Sequence, residues 1–334
     1  MHMGPPRTED LLVEAGAGLP RRGPPVVLSV VIPSYNGAQW LPRSVAAAFT
    51  FSELATEVLV VDDGSTDETP RVLEKLGREH PALRVLTKAN GGLSSARNHG
   101  IAHATGQYIV LLDADDELLP CDLAGAVARG VDAIRIGVEE VRMDESRRVH
   151  VENFEPCSGE AYLQERFAAQ RFHTPSWAWL YRRSFLLDAG LTFTPDLIHE
   201  DMLFTVEALL AARSILAVPH LAYRYFKREG SITTTVDEHK LYKRVRSLSY
   251  IARQLTAYAN ANSSVDVGWW ALQAMDYARL LSVDAPSLRI RLCLFTTECR
   301  FFWSYNVWGQ YRTFRNTRFR LPLAFGYLAK GTRW

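Results

Sequence analysis

Four short apolar, β-branched runs alternate with helical stretches in the first third of this chain, and they constrain the fold more than any other feature. They are "VVLSVVIP" (Val26–Pro33), "EVLVV" (Glu57–Val61), "LRVL" (Leu83–Leu86) and "YIVLL" (Tyr108–Leu112). The first of them is the kind of apolar run found in a strand covered on both faces. The intervening sequence predicts helices near Gln39–Phe51, over Glu68–Glu79 and through "LSSARNHGIAHA". Strand and helix in alternation imply βαβ units around a parallel sheet. In such sheets ligands bind just beyond the carboxyl ends of the strands. Three polar clusters fall there: "PSYN", "DDGSTD" and "DADD".

The rest of the chain is organised differently. Residues 1–25, with "GPPR" and "PRRGPP", are expected to form a flexible tail. "AIRIGVEEV" reads as one strand or two, "SWAWLYRRSFLLDAG" as a strand or turn entering a short helix, and "HEDMLFTVEALLAA" as a helix. Beyond Thr235 the pattern is mainly helical. A formal net charge of +1 gives no case for nucleic acid as a partner. The four cysteines form no CxxC pair and are expected to be reduced thiols in a cytoplasmic protein. No apolar run approaches the roughly 18 residues that suggest a membrane span, and the N-terminus lacks a signal-peptide core.

Each acidic cluster admits a structural and a chemical reading. In "VDDGSTDETP", Ser65 and Glu68 have capping-box spacing, which accounts for Ser65–Glu68 as a helix start. It leaves Asp62 and Asp63 at the strand end, where a carboxylate can accept from a nucleobase or a ribose hydroxyl. In "DADD", extended alternation would point Asp113 and Asp115 the same way. Two carboxylates on one side raise each other's pKa unless a cation lies between them. Hard divalent ions such as Mg²⁺ or Mn²⁺ use one or two carboxylates with substrate phosphates and water. Asp116 suits a turn or helix cap. Glu200 and Asp201 open a predicted helix, either complementing its dipole or supplying a general base. Arg97 lies within a helix as a surface charge or a phosphate contact, and spacing does not decide between them. "NGGLSSARNHG" contains neither GxxxxGK[ST] nor GxGxxG, although Gly91 and Gly92 permit close backbone approach.

Taken in order, "VVIPSYNG", "VDDGSTDET", "NGGLSSARNHG", "YIVLLDADD" and "HEDMLF" resemble the family-2 glycosyltransferases of GT-A fold. The resemblance covers roughly Leu28–Thr235. It implies a Rossmann-like, mainly parallel α/β sheet flanked by helices, with a catalytic domain over 26–235 and a mainly helical region over 236–334. It implies inverting transfer of a sugar from a nucleotide-diphosphate donor, often a UDP-sugar, to a hydroxyl on a glycan, glycolipid or other acceptor. On that resemblance Pro33 and Tyr35 line the base pocket and Asp63 bonds the base. Asn90 and Arg97 border the nucleotide. Asp115 is the direct ligand of Mn²⁺ or Mg²⁺, with Asp113 nearer the ribose or behind the metal. Asp201 is the catalytic base beside Glu200, and Arg228 and Ser231 close over the diphosphate. Trp177 or Trp179 stacks on a sugar or is buried in the core.

Two other classes share parts of this pattern. A nucleotidyltransferase uses similar sheet and metal chemistry but usually carries a basic Gly-rich loop near the first strand, which "PSYNGAQW" lacks. A non-catalytic nucleotide-sugar-binding protein has no need of a base such as Asp201. In Arg291–Trp334, arginines alternate with aromatics and Glu298 is the sole acid. This composition suits peripheral association with the cytoplasmic face of an anionic membrane. Packing against the catalytic domain or a second subunit is the alternative, and RNA binding lacks a recognised module.

Overall fold

The computed structural model describes residues 27–168, 175–228 and 238–261. The N-terminal half follows the predicted alternation. It runs β1 (Leu28–Ser34), α1 (Leu41–Thr50), β2 (Thr56–Asp62), α2 (Thr69–Glu79), β3 (Leu83–Thr87), α3 (Leu93–His103) and β4 (Tyr108–Leu111). Every residue of β1 and β4 is buried, as the uninterrupted apolar runs require. Parallel pairing sets the order β3-β2-β1-β4.

Beyond β4 the sheet becomes mixed. The next elements are β5 (Glu117–Leu118), α4 (Ala124–Ala128), β6 (Ala133–Val141), β7 (Arg147–His150), β8 (Phe154–Cys157) and α5 (Gly159–Ala168). A 3₁₀ turn at Ser176–Ala178 leads into β9 (Trp179–Arg182) and α6 (Arg183–Asp188). The described residues end with α7 (Glu200–Ala211), β10 (Ile215–Phe226) and α8 (Glu238–Ala261). β9 lies between β4 and β6, antiparallel to both, and β10 runs parallel to β6. "AIRIGVEEV" is thus a single strand, β6. From α8, Val245, Leu248, Ile251 and Leu255 are fully buried in the same core as the sheet.

Register aligns the ends of the strands. Ser34 of β1 is paired with Asp62 of β2, and Asp62 with Thr87 of β3. Leu112 donates its N–H to Val31, so the chain leaves β4 beside the end of β1. Gly100 lets α3 press onto this sheet: a Cβ there would lie 2.3 Å from Val31 Cγ1. No helix among the described residues is long and apolar enough to cross a membrane.

Two local expectations are corrected. Ser65 and Glu68 do not form a capping box, because α2 begins only at Thr69 and Glu68 is its N-cap without a side-chain bond. Ser65 instead accepts the N–H of Asn36 at 2.9 Å and donates its own N–H to Asp62 at 3.0 Å, tying two strand-end loops together. The 113–116 segment is a turn and not extended, since Asp116 N–H bonds back to the Asp113 carbonyl at 3.0 Å. Simple alternation therefore does not set the directions of Asp113 and Asp115.

Candidate functional site

The loop after β1 reaches outward. Pro33 is buried within the strand, while Tyr35 beyond it is 52% exposed. Asn36 adopts a left-handed φ of 51°, a conformation asparagine tolerates, and its Oδ1 accepts from Thr66 N–H at 2.9 Å. Asp63 follows β2 and is buried. Its carboxylate accepts from the N–H groups of Gly91 and Gly92 and from Lys88 Nζ at 2.5 Å. Asn90 donates its side-chain amide to the Asp63 carbonyl at 3.0 Å. Asp63 thus organises the glycine loop that starts α3. Gly92 sits at φ 82° at the N-cap of that helix, a backbone state that excludes most side chains.

α3 carries Arg97 inward. The side chain is buried, which rules out a surface charge. Nη1 donates to Glu200 at 2.6 Å and Nη2 to Asp113 at 2.7 Å, and the guanidinium lies 5.2 Å from the centre of the Phe193 ring. One cation thereby ties the turn after β4 to the start of α7. Burial alone would weaken its charge, but Asp113, Glu200 and Asp201 hold it firmly protonated.

Asp201 is the neighbouring residue of that first helical turn. It is half-buried. Desolvation, then the Glu200 and Asp113 charges, push its pKa up to about 7, against the opposing pull of Arg97. Immediately before this pair, His199 is held at φ 67° in the left-handed region, a strained state for a side chain of its size. Burial and Arg244 hold its pKa down to about 4, so it is neutral at pH 7.

The three aspartates of "DADD" have separate surroundings. Asp113 and Asp115 are each partly exposed, at 25% and 24% of their side-chain surface. Desolvation and the Asp113 charge raise the Asp115 pKa, and Arg228, bonded to it at 2.6 Å, lowers it. Asp116 is buried and accepts from Tyr223 Oη at 2.7 Å and Phe226 N–H at 2.9 Å. Tyr223 Oη also accepts from Asp113 N–H at 3.2 Å, so one hydroxyl ties both ends of the turn to β10. Nothing in the sequence marked Tyr223, because its partner lies 107 residues away.

Trp177 is 8% exposed and stacked on Tyr223 and Tyr225, with ring centroids 4.3 and 5.5 Å apart. Trp179 is buried in β9. Ser231 and the basic, aromatic stretch 291–334 lie outside the described residues. No group of three or more His, Cys, Asp or Glu side chains suited to a metal is assembled among the described residues. Asp113 and Asp115 offer carboxylate oxygens alone, and both reach solvent. That donor set fits a hard divalent ion completing its shell with phosphate oxygens and water.

The sequence profile of Glycosyl transferase family 2 matches residues 29–188, the segment that supplies the β1, β2 and β4 loops and Arg97. Residues 29–188 are a family-2 glycosyl transferase domain. The chain is 27% identical over 217 residues to the uncharacterized glycosyltransferase YibD of Escherichia coli, covering 62% of this chain and 63% of that one. It is 32% identical over 210 residues to the poly(ribitol-phosphate) beta-N-acetylglucosaminyltransferase TarS of Staphylococcus aureus, covering 60% of this chain and 36% of TarS. The chain thus spans less than two thirds of these curated relatives. The solved structure of TarS residues 1–349 with UDP-GlcNAc superposes with a TM-score of 0.53 at 19% identity, covering 90% of this chain and 95% of that one. Another solved structure of S. aureus TarS gives a TM-score of 0.58 at 21% identity, over 84% of this chain and 49% of that one. These likenesses establish a GT-A-type fold for the transferase domain, a central mixed sheet flanked by helices.

Proposed function

We propose that this chain transfers a sugar from a nucleoside-diphosphate donor, a UDP-sugar, to an acceptor hydroxyl, with inversion and with a divalent cation. The observation that carries this reading is the Arg97 bridge. It gathers Asp113 and Glu200, from distant parts of the sequence, around one guanidinium beside Asp201. In the reaction Asp201 accepts the proton of the attacking hydroxyl, and its raised pKa makes it a stronger base than an ordinary aspartate while leaving it largely ionised above neutrality. A single base on one face of the sugar gives one displacement, hence inversion.

Asp113 and Asp115 would hold Mn²⁺ or Mg²⁺, which supplies positive charge for the leaving diphosphate. Arg228 is placed beside Asp115 to add a guanidinium to the same diphosphate. Tyr35 offers an exposed ring for the base, with Pro33, Asp63 and Asn90 shaping the pocket behind it. Glu200 and Arg97 fix the donor side of the cleft, Ser231 lies three residues past Arg228, and Trp177 backs the acceptor side. We further propose a glycan or glycolipid acceptor at the cytoplasmic face of a membrane, with the Arg291–Trp334 region as the surface contact.

The test is a screen of nucleotide sugars, UDP-GlcNAc among them, for metal-dependent transfer and thermal stabilisation. Asp115→Ala and Asp201→Ala should each abolish transfer with the fold retained, and a chelator should stop the wild type. Wild-type rates in either variant remove its assigned role. Flotation of the full chain on anionic liposomes, compared with a chain ending near Ala285, tests the membrane contact; equal flotation refutes it.

A further inference from the structure

Asp115 is gripped by two arginines that approach from different elements. Arg228, just past β10, donates from Nε to Asp115 Oδ2 at 2.6 Å, and its Nη2 binds the same oxygen. Arg43, from α1, donates to the Asp115 main-chain carbonyl and pairs with Glu117 at 3.1 Å. Each guanidinium lies on an aromatic ring of the other's segment. Arg228 sits 4.3 Å above Trp40, which immediately precedes α1. Arg43 sits 4.2 Å above Phe226, the last residue of β10. The stacking holds both planar groups in place without satisfying their hydrogen-bond donors.

The two grips differ in kind. Arg43 holds the backbone, so it fixes the turn and leaves the carboxylate available. Arg228 holds the carboxylate itself. We propose that Arg228 and a divalent cation are alternative partners of Asp115, and that a nucleoside diphosphate exchanges one for the other by accepting the guanidinium. The inference rests on Asp113 and Asp115 being the metal's carboxylates. An oxygen already taking two charge-assisted donors is a weakened metal ligand, and two cations on one carboxylate repel. A diphosphate offers guanidinium a bidentate oxygen pair, which replaces the carboxylate bonds Arg228 gives up. The pair is about a quarter to a third exposed, which leaves the exchange open to solutes. Metal alone then binds weakly, and diphosphate and metal tighten each other by linkage.

The experiment is a Mn²⁺ titration, by calorimetry and by electron paramagnetic resonance of free Mn²⁺, on the full chain with and without UDP. Without UDP, Arg228→Ala is expected to bind Mn²⁺ about tenfold more tightly than wild type, equivalent to about 1.4 kcal/mol. Arg228→Lys keeps the charge and stays near wild type. Addition of UDP tightens Mn²⁺ on the wild type, and this gain is about tenfold smaller in Arg228→Ala, within the usual range of coupling between sites. Trp40 provides an independent signal: the fluorescence difference between wild type and Trp40→Phe changes when UDP and Mn²⁺ are added together. If Arg228→Ala does not fold, Arg228→Gln takes its place with the same expectation. Equal Mn²⁺ affinity in the neutral variant and wild type overturns the exchange. Unaltered Mn²⁺ binding by Asp115→Asn overturns the metal assignment beneath it, so the two failures are distinguishable.

Discussion

Replacing Asp201 with Asn should end sugar transfer and, above neutral pH, make the folded chain more stable. The folded carboxyl titrates near 7, against a reference value of 3.8. That difference of about three units, at about 1.36 kcal/mol each, sets a ceiling of about 4 kcal/mol. Half-burial lets water screen part of it, so about 2 kcal/mol is the working figure. The sign follows from proton binding. Between pH 4 and 7 the folded carboxyl keeps a proton that the unfolded chain has released, so wild-type stability falls as pH rises through that window. Asparagine does not titrate. The advantage of Asp201→Asn should therefore be close to nil at pH 4, grow to pH 7 and level off above it. Charge arithmetic agrees, since Arg97 faces Glu200, Asp113 and Asp201 together. Thermal unfolding of both proteins from pH 4.5 to 9 measures this, at a few degrees for about 2 kcal/mol. A difference independent of pH, or a variant less stable at pH 8, would contradict this account.

Three further outcomes follow from the geometry. With Asp201 as base, log kcat/KM should rise with unit slope and level off near pH 7; a profile flat from pH 5 upwards excludes it. Tyr223→Phe removes the hydroxyl shared by Asp116 and Asp113 N–H, and should cost about 1–3 kcal/mol in a urea titration. Gly100→Ala would drive a methyl into Val31 and should destabilise by about 1–3 kcal/mol despite the better helix propensity, and a neutral result would mean α3 can shift away from β1.

The first strand was legible because burial on both faces leaves a plain mark, a dense apolar, β-branched run such as "VVLSVVIP". The polar clusters were legible for the complementary reason that those runs end in charge, which a strand interior rejects. Local rules then failed where the chain turned. Ser65 has capping-box spacing yet accepts the N–H of Asn36, because strand pairing lays the β1 and β2 loops side by side. Extended geometry predicts a common direction for Asp113 and Asp115, but the chain folds into a turn after Leu112.

The strand-and-helix alternation, the acidic groups at strand ends and the likeness to family-2 transferases are all legible in residue order. These depend on residue type and on spacing within one element. Long-range packing settled what Arg97 does, that Asp116 pairs with Tyr223 and Phe226, and that Arg228 holds Asp115. Those pairs are separated by 103 residues for Arg97 and Glu200, 107 for Tyr223 and Asp116, and 113 for Arg228 and Asp115. Spacing along a chain carries no record of such contacts, because sheet pairing and packing set which distant charges share a cleft.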